Sequence, residues 1–323
     1  MKVFYGYKNV CQLKDPALAI GIFDGVHIGH KKIISKLIRC PGPGRDHVVM
    51  TFDPHPRSVL IPAKPLPRIM SLEHRLLILE RLGVDVAVVV SFTEHIANMS
   101  PEDFVRQVIS HIGARTVFVG SNFRFGSSKQ GGIADLADIG EKYGITLKAV
   151  QPVRSRGKIV SSTWIRSLIA HGNLNEAAKL LRRPVSVLGT VVGGDERGRT
   201  LGFPTANIDP HQEVIPPPGV YAVKVCVHGK IHDGILNIGF NPTFYGPRQH
   251  RREEPSIEVN IFDFHGNLYG SRIEIFFLRY LRKERRFRDQ RDLVSAIQKD
   301  IILARVILGD KRSLARINKY MLG

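Results

Sequence analysis

Two histidines lie three residues apart in the stretch AIGIFDGVHIGHKKII, between an apolar run and a basic segment. A turn of this kind needs its glycines, but it does not need both imidazoles. Glycines let the backbone approach a ligand closely, helix N-terminal amides attract an anion, and imidazoles can donate to charge that builds up on phosphorus. No nucleophilic side chain is needed, because a substrate phosphate can itself attack ATP. The stretch predicts a nucleotide-phosphate site at Gly21, Asp24, Gly25, His27 and His30.

Two other interpretations of this pair are weighed against the phosphate site. The histidines could cap a turn without binding any ligand, which is the usual role of a pair at this spacing. A zinc site is disfavoured, because no HExxH pattern or third ligand accompanies them.

A second polar cluster, SSTWIRSLIAHG, begins a predicted helix at Ser161. Hydroxyl groups at a helix start can cap the helix and donate to a phosphate. Arg166 follows Thr163 by three residues, so both side chains lie on one side of the helix. An N-cap without a ligand is the alternative. Together with the histidine turn, the cluster favours phosphate binding by Ser162, Thr163 and Arg166.

The segment GTVVGGDERGRTLGFPTANI, residues 189–208, is glycine-rich and basic, but no GKS or GKT makes it a Walker A sequence. Thr205 and Asn207 are two residues apart on an extended segment, which puts two neutral oxygens on one face. Mg²⁺ accepts few protein ligands together with nucleotide phosphates. The pair suits Mg²⁺ in company with nucleotide phosphates, although glycines between strands usually form only turns.

Glu258 lies in SIEVNIFDF, whose pattern predicts a strand with Ile257 and Val259 on the opposite face. A carboxylate held near a substrate hydroxyl group can act as a general base. An exposed strand carboxylate paired with an arginine is the alternative.

Strand and helix signals alternate in the first half of the chain, which predicts right-handed βαβ units and a doubly wound parallel sheet. Ligands of such sheets bind beyond the carboxyl ends of the strands, where the histidine turn falls. From Pro184 onward strands follow one another closely, which predicts a small antiparallel barrel with a C-terminal helix from about Asp289. The predicted domains are 1–183 and 184–323. The predicted parallel strands are 17–23, 47–52, 84–92, 115–120 and 145–153.

Composition limits the class of protein. The chain has 323 residues, 43% hydrophobic and 24% charged, as in ordinary globular proteins. No apolar run is long enough for a membrane span, and the N-terminus lacks a signal-peptide pattern, so we expect a cytoplasmic protein without a membrane partner. The three cysteines form no CxxC pair. The net charge of +18 favours anionic partners. The arginine-rich run at 279–291 is either a solvated helix face or an anion groove.

Several motifs together resemble one known family. GIFDGVHIGH, TFDPHP (51–56), GSNFRFG (120–126) and SSTWIR resemble the adenylyltransferase half of the bacterial bifunctional riboflavin kinase/FAD synthetases. PTAN, NIGFNPTF (237–244), DFHGNLYG (263–270) and LRKERRF resemble the kinase half. The resemblance covers nearly the whole chain. It implies that ATP phosphorylates riboflavin to FMN in the second domain, and that a second ATP adenylylates FMN to FAD in the first, releasing pyrophosphate.

The resemblance also implies roles for particular residues. Trp164 stands at a variable position and receives no role, and His55 lies either in a functional motif or in a rigid turn after a strand. In the first domain, the residues implied in binding ATP or stabilising AMP transfer are His27, His30, Asn122, Ser162, Thr163 and Arg166. In the kinase domain, Glu258 is the implied base, and the implied contacts are Gly193, Arg199, Thr205 and Asn207 for Mg²⁺–ATP and Arg282 for flavin.

Two rival functions are weighed. The same first-domain chemistry could act on another acceptor, such as a nicotinamide or pantetheine phosphate, but the β-rich second half argues against it. The positive charge could instead serve a nucleic-acid-binding protein, which would bind in a salt-sensitive way and would not require the histidines. We expect no nucleic-acid partner.

Overall fold

The computed structural model describes residues 1–61, 63, 67–127, 131–194, 198, 201–240 and 255–322. They form two compact units, one of Met1–Arg68 with Leu72–Trp164, the other of Ile69–Ser71 with Ile165–Leu322. The second unit thus takes in residues before the sequence-based limit at Arg183, and the domain limits stay a prediction. No helix in the described ranges is both long and apolar enough to cross a membrane.

The first unit contains a six-stranded sheet in the order β1-β4-β3-β2-β5-β6. Every pairing in it is parallel. The parallel fold expected from the alternating pattern is confirmed, whereas β1 was not predicted, and several predicted strands end earlier in the structure. The strands are β1 Lys2–Tyr5, β2 Ala17–Ile20, β3 His47–Phe52, β4 Val86–Val90, β5 Thr116–Gly120 and β6 Thr146–Val150.

Helices connect these strands, and local capping sets where several of them begin. Ser100 Oγ accepts a hydrogen bond from the Asp103 amide at 3.0 Å, and Pro101 takes the first helical position. The helices are α1 Ile28–Ile38, α2 Pro56–Leu60, α3 Leu72–Arg81, α4 Glu94–Asn98, α5 Pro101–Asp103, α6 Ser110–Ile112, α7 Ile133–Lys142, α8 Ser162–Ala170 and α9 Leu174–Leu181. A 3₁₀ turn spans Tyr7–Asn9, a π-helical segment Phe104–Ile109, and a small hairpin joins β7 Arg154–Ser155 to β8 Lys158–Ile159.

The order of the strands fixes where a ligand can bind. Strand β2 has β3 on one side and β5 on the other, and the chain forms β3 and β4 before it returns to β5. The direction of winding therefore reverses beside β2, and the crevice at such a reversal is the usual ligand site of an open α/β sheet. All four residues of β2 are buried, which holds the start of the following turn in place.

The second unit contains a closed antiparallel barrel in the order β10-β13-β12-β11-β14-β9. The predicted barrel and its C-terminal helix are confirmed. Asp289 caps that helix by accepting from the Asp292 amide at 2.8 Å, and Ala304 and Leu308 belong to a buried cluster with barrel residues. The elements are β9 Val185–Val192, β10 Ala206–Asp209, β11 Gly219–Val227, β12 Lys230–Gly239, β13 Ser256–Ile261, β14 Arg272–Arg282, α10 Gln290–Leu308 and α11 Lys311–Leu322.

Candidate functional site

The histidine turn follows the carboxyl end of β2 and has an unusual backbone conformation. Gly21 donates its amide to the Met50 carbonyl at 3.1 Å, which ties the start of the turn to β3. Phe23, Gly25 and Val26 then adopt φ angles of 52°, 85° and 38°. A left-handed conformation is costly for a β-branched residue such as valine, and strain of this kind concentrates at functional sites. The strained backbone therefore makes this turn a candidate functional segment.

His27 is the N-cap of α1. Its Nδ1 atom accepts from the Gly29 and His30 amides at 3.1 and 3.4 Å. Because Nδ1 acts as an acceptor, the ring proton resides on Nε2. His27 thus satisfies part of the helix terminus and keeps an Nε2–H donor.

His30 stacks on His27, with ring centroids 3.7 Å apart and planes 17° from parallel. The edge of Phe23 meets it at a centroid distance of 5.3 Å. The side chain is half-buried, and its enclosed Nδ1 atom has no hydrogen-bond partner in the part of the chain that the structure describes. Burial lowers the pKa of His30 well below the usual 6.5, and the nearby His27 and Arg75 lower it further. His30 is therefore neutral at neutral pH.

The start of helix α8 lies against the same turn. Ser162 Oγ donates to the Asp24 carbonyl at 2.8 Å, and the Asp24 side chain is buried. Thr163 is exposed, and Arg166 is buried on α8, one turn after Ser162. The structure thus brings Ser162 to the histidine turn within the first unit, and phosphate binding by these residues stays a prediction.

Asn122 follows β5, the other strand that borders the reversal of winding. Its side chain folds over Gly120, where an added Cβ would lie 3.0 Å from the Asn122 Oδ1 atom. Asn122 is exposed, and Gly120 also faces Ile33 of α1. Asn122 and the histidine turn thus follow neighbouring strands at the same edge of the sheet.

His55, in contrast, has a structural explanation. Its Nδ1 atom accepts from the Arg57 amide at 3.0 Å, which caps the short helix α2. This hydrogen bond favours the rigid-turn interpretation of His55.

Sequence reasoning missed Arg75, a buried arginine of α3 at the ends of two strands. Its Nη1 atom donates to the Ile22 carbonyl at 2.7 Å, to Thr51 Oγ1 at 2.7 Å and to the Phe52 carbonyl at 3.2 Å. Burial lowers the pKa of Arg75 to about 10, although the negative charges of Asp24 and Asp53 act to raise it. The sequence did contain a signal for this burial. Arg75 lies three and four residues before Ile78 and Leu79, which places its charged side chain on the apolar face of the helix.

In the second unit, three polar residues form a row across the barrel strands. Glu258 of β13 is paired with Asn207 of β10 on one side and with Asn237 of β12 on the other. Side chains paired in this way project from the same face of a sheet. Ile257 and Val259 are buried, as expected for the opposite face. The barrel thus brings together Asn207 and Glu258, which are distant in sequence.

Glycines form a tight cradle around the two predicted magnesium ligands. A Cβ added at Gly194 would lie 1.9 Å from Asn207 Nδ2, and one added at Gly198 would lie 3.0 Å from Thr205 Oγ1. Gly193 has no such neighbour within 4 Å. The neutral oxygens of Thr205 and Asn207 fit Mg²⁺ in company with phosphates. No cluster of three or more His, Cys, Asp or Glu suited to a metal occurs among the described residues.

Two further contacts were predicted for the kinase half. Arg199 lies outside the described residues, as does the second half of the motif at 237–244. Arg282 donates through Nε to both carboxylate oxygens of Asp300, at 3.0 and 2.9 Å, and its guanidinium lies 5.5 Å from the Phe287 ring centroid. It joins the end of β14 to α10, which sequence reasoning did not anticipate.

Comparison with known proteins gives concordant matches for the two halves. A family model for FAD synthetase matches residues 11–164, and one for riboflavin kinase matches residues 181–308. The bifunctional riboflavin kinase/FMN adenylyltransferase of Bacillus subtilis is 40% identical over 88% of this chain and 89% of its own length. The protein of that name from Escherichia coli K12 is 35% identical over 96% and 98%. A crystal structure described as a macrolide-efflux protein from Streptococcus pneumoniae matches with a TM-score of 0.77 and 30% identity, over 94% of this chain and 99% of that one.

Proposed function

This chain belongs to the bifunctional riboflavin kinase/FMN adenylyltransferase family, and from that premise we propose that it converts riboflavin to FMN and FMN to FAD. ATP is the co-substrate of both steps. The first unit transfers AMP to the FMN phosphate, and the barrel transfers the γ-phosphoryl group to riboflavin.

In the first unit, the ATP phosphates bind at the N-terminus of α1, beside the first turn of α8. An FMN phosphate oxygen attacks the α-phosphorus of ATP in line and forms a new phosphorus–oxygen bond. The bond from the α-phosphorus to the oxygen that bridges to the β-phosphorus breaks, and pyrophosphate leaves. His27 Nε2–H and the neutral His30 ring supply donors for the charge that develops. Ser162 and Thr163 bind phosphate from the start of α8, and Asn122 binds ATP from the end of β5. Gly21, Asp24 and Gly25 shape the turn.

In the barrel, the riboflavin hydroxyl group attacks the γ-phosphorus of ATP. Glu258 accepts the hydroxyl proton as ADP leaves. Mg²⁺ held by Thr205 and Asn207 would neutralise phosphate charge during this transfer. Gly193 and Arg199 contact ATP in this proposal, and Arg282 contributes to the flavin side from the end of β14.

The observation that carries this proposal is the hydrogen bond from Ser162 to the carbonyl of Asp24. It joins two motifs, more than a hundred residues apart, at the one edge of the sheet where nucleotides bind in such folds. A capping pair of histidines alone would not require this neighbour. The rival acceptors of AMP are disfavoured by the barrel, which carries a separate row of phosphoryl-transfer groups.

We further propose domain limits of 1–183 and 184–323 and a cytoplasmic location, where ATP is abundant. The partners are riboflavin, FMN, FAD and ATP, with no nucleic acid among them. The basic charge suits these substrates, of which all but riboflavin carry phosphate.

A pair of variants tests the proposal. His30→Ala should stop FAD formation while FMN still accumulates from riboflavin and magnesium–ATP, as followed by chromatography. Glu258→Ala should do the reverse and still convert supplied FMN to FAD. Failure of well-folded wild-type protein to form either flavin would refute the assignment. Equal loss of both activities in either variant would contradict separate sites.

A further inference from the structure

Arg75 connects the ends of two strands that carry proposed functional segments. The Ile22 carbonyl belongs to the histidine turn after β2, and the Phe52 carbonyl ends β3. Thr51 completes the arrangement, because its Oγ1 donates to the Ile22 carbonyl at 2.9 Å and accepts from Arg75 Nη1. A single guanidinium group thus holds three acceptors whose relative positions set the start of the turn.

The surroundings of Arg75 keep a buried positive charge beside that turn. Its Nη2 atom lies 3.8 Å from Asp53 Oδ1, which also accepts from Arg68 at 2.7 Å. The Asp24 carboxylate, within the turn, contributes a further favourable charge. Burying an arginine is costly unless its hydrogen bonds and charge are satisfied. The hydrogen bonds and ion pair of Arg75 are all made with the turn and with the end of β3, so the buried guanidinium ties α3 to both segments.

We propose that Arg75 is a positioning residue for adenylyl transfer, which holds the histidine turn in register with the end of β3 so that His27 and His30 face the reacting phosphate. The inference rests on the proposed function of the first unit and adds a residue that neither the motifs nor that function includes. Arg75 acts through the Ile22 carbonyl, and it does not itself touch ATP.

Its positive charge has a second consequence for His30. Among the described residues, His27 and Phe23 of the turn contact the His30 ring, and the positive charge of Arg75 on α3 adds to the effect of burial in disfavouring imidazolium. Loss of the Arg75 charge allows His30 to take up a proton at higher pH. The acidic limb of the pH profile for FAD formation should then move to higher pH.

The test compares Arg75→Met, Arg75→Lys and a control, Arg115→Met, in the full-length chain. Arg115 is exposed and lies just before β5, at the amino ends of the strands, whereas the histidine turn lies at their carboxyl ends. For FAD formation from FMN, we expect Arg75→Met to lower kcat by about a hundredfold with a smaller change in the KM for ATP. Riboflavin kinase activity should be unchanged, because its site lies in the other unit.

Arg75→Lys separates charge from hydrogen-bonding geometry. Lysine keeps the charge but not the planar fork, so this variant should retain the wild-type acidic limb and recover part of kcat. Thermal unfolding of each variant shows whether it is folded at the assay temperature.

Each alternative result has one meaning. A wild-type kcat and pH profile in Arg75→Met would overturn the proposal. So would a loss that vanishes at a temperature where the variant is fully folded, since that assigns Arg75 to stability alone. Absence of FAD formation by the wild-type protein would instead refute the proposed function.

Discussion

Gly194→Ala should disable the kinase without touching the adenylyltransferase. Ordinary van der Waals contact begins at 3.4 Å, whereas the added Cβ would lie 1.9 Å from Asn207 Nδ2, so the amide must move by about 1.5 Å (3.4 − 1.9). The Asn207 backbone cannot share this movement easily, because it pairs with Val192 and Glu258 on both sides. The displacement therefore falls on the side chain that is proposed to hold Mg²⁺–ATP.

A misplacement of this size at a phosphoryl-transfer site costs about a hundredfold in rate. The assay is FMN formation from riboflavin, measured across ATP and magnesium concentrations. FAD formation from supplied FMN in the same preparation serves as the folding control. Gly193→Ala provides the comparison, because a Cβ there meets no protein atom within 4 Å. Gly193→Ala should lose less kinase activity than Gly194→Ala, because its added Cβ would come close only to ATP.

Wild-type kinase kinetics in Gly194→Ala would refute the reasoning, because they would show that Asn207 can leave its position without consequence. An equal loss in both glycine variants would locate the effect in the loop backbone instead of in Asn207.

Three further outcomes follow from the same geometry. His30 stays neutral in the folded chain but takes up a proton below about pH 6.5 when the chain is unfolded, so the wild-type protein should lose stability as pH falls. His30→Gln should lose less stability than the wild-type protein, and the difference should be at most about 1.4 kcal/mol per pH unit in denaturant titrations at pH 6.5 and 5.5. Asp300→Asn, which weakens the pair with Arg282, should lower the unfolding free energy of the kinase half by about 1–3 kcal/mol in urea, and an unchanged midpoint would contradict this. Ser162→Ala should cost about 1 kcal/mol of stability and slow FAD formation, whereas equal slowing of FMN formation would argue against its place in the first unit.

Sequence patterns were sufficient for the two architectures because short continuous apolar runs indicate buried strands. The run HVVMTF is a strand over its full predicted length, and GVYAVKVCV likewise forms a whole barrel strand. The first strand, KVFY, escaped prediction because it is short and mostly exposed at the edge of the sheet. Its place depends on pairing with β4, a contact distant along the chain.

The candidate site divides along the same line. Local patterns were enough to predict which groups are available: paired imidazoles after a strand, hydroxyls at a helix start, and neutral oxygens beside glycines. Which of these groups meet depends on the folded chain, because Ser162 reaches Asp24, and Asn207 pairs with Glu258, through strand order and register that no local pattern specifies. The same holds for the partners of Arg75 and for the pair of Arg282 with Asp300, since the partners of a buried charge come from distant parts of the chain.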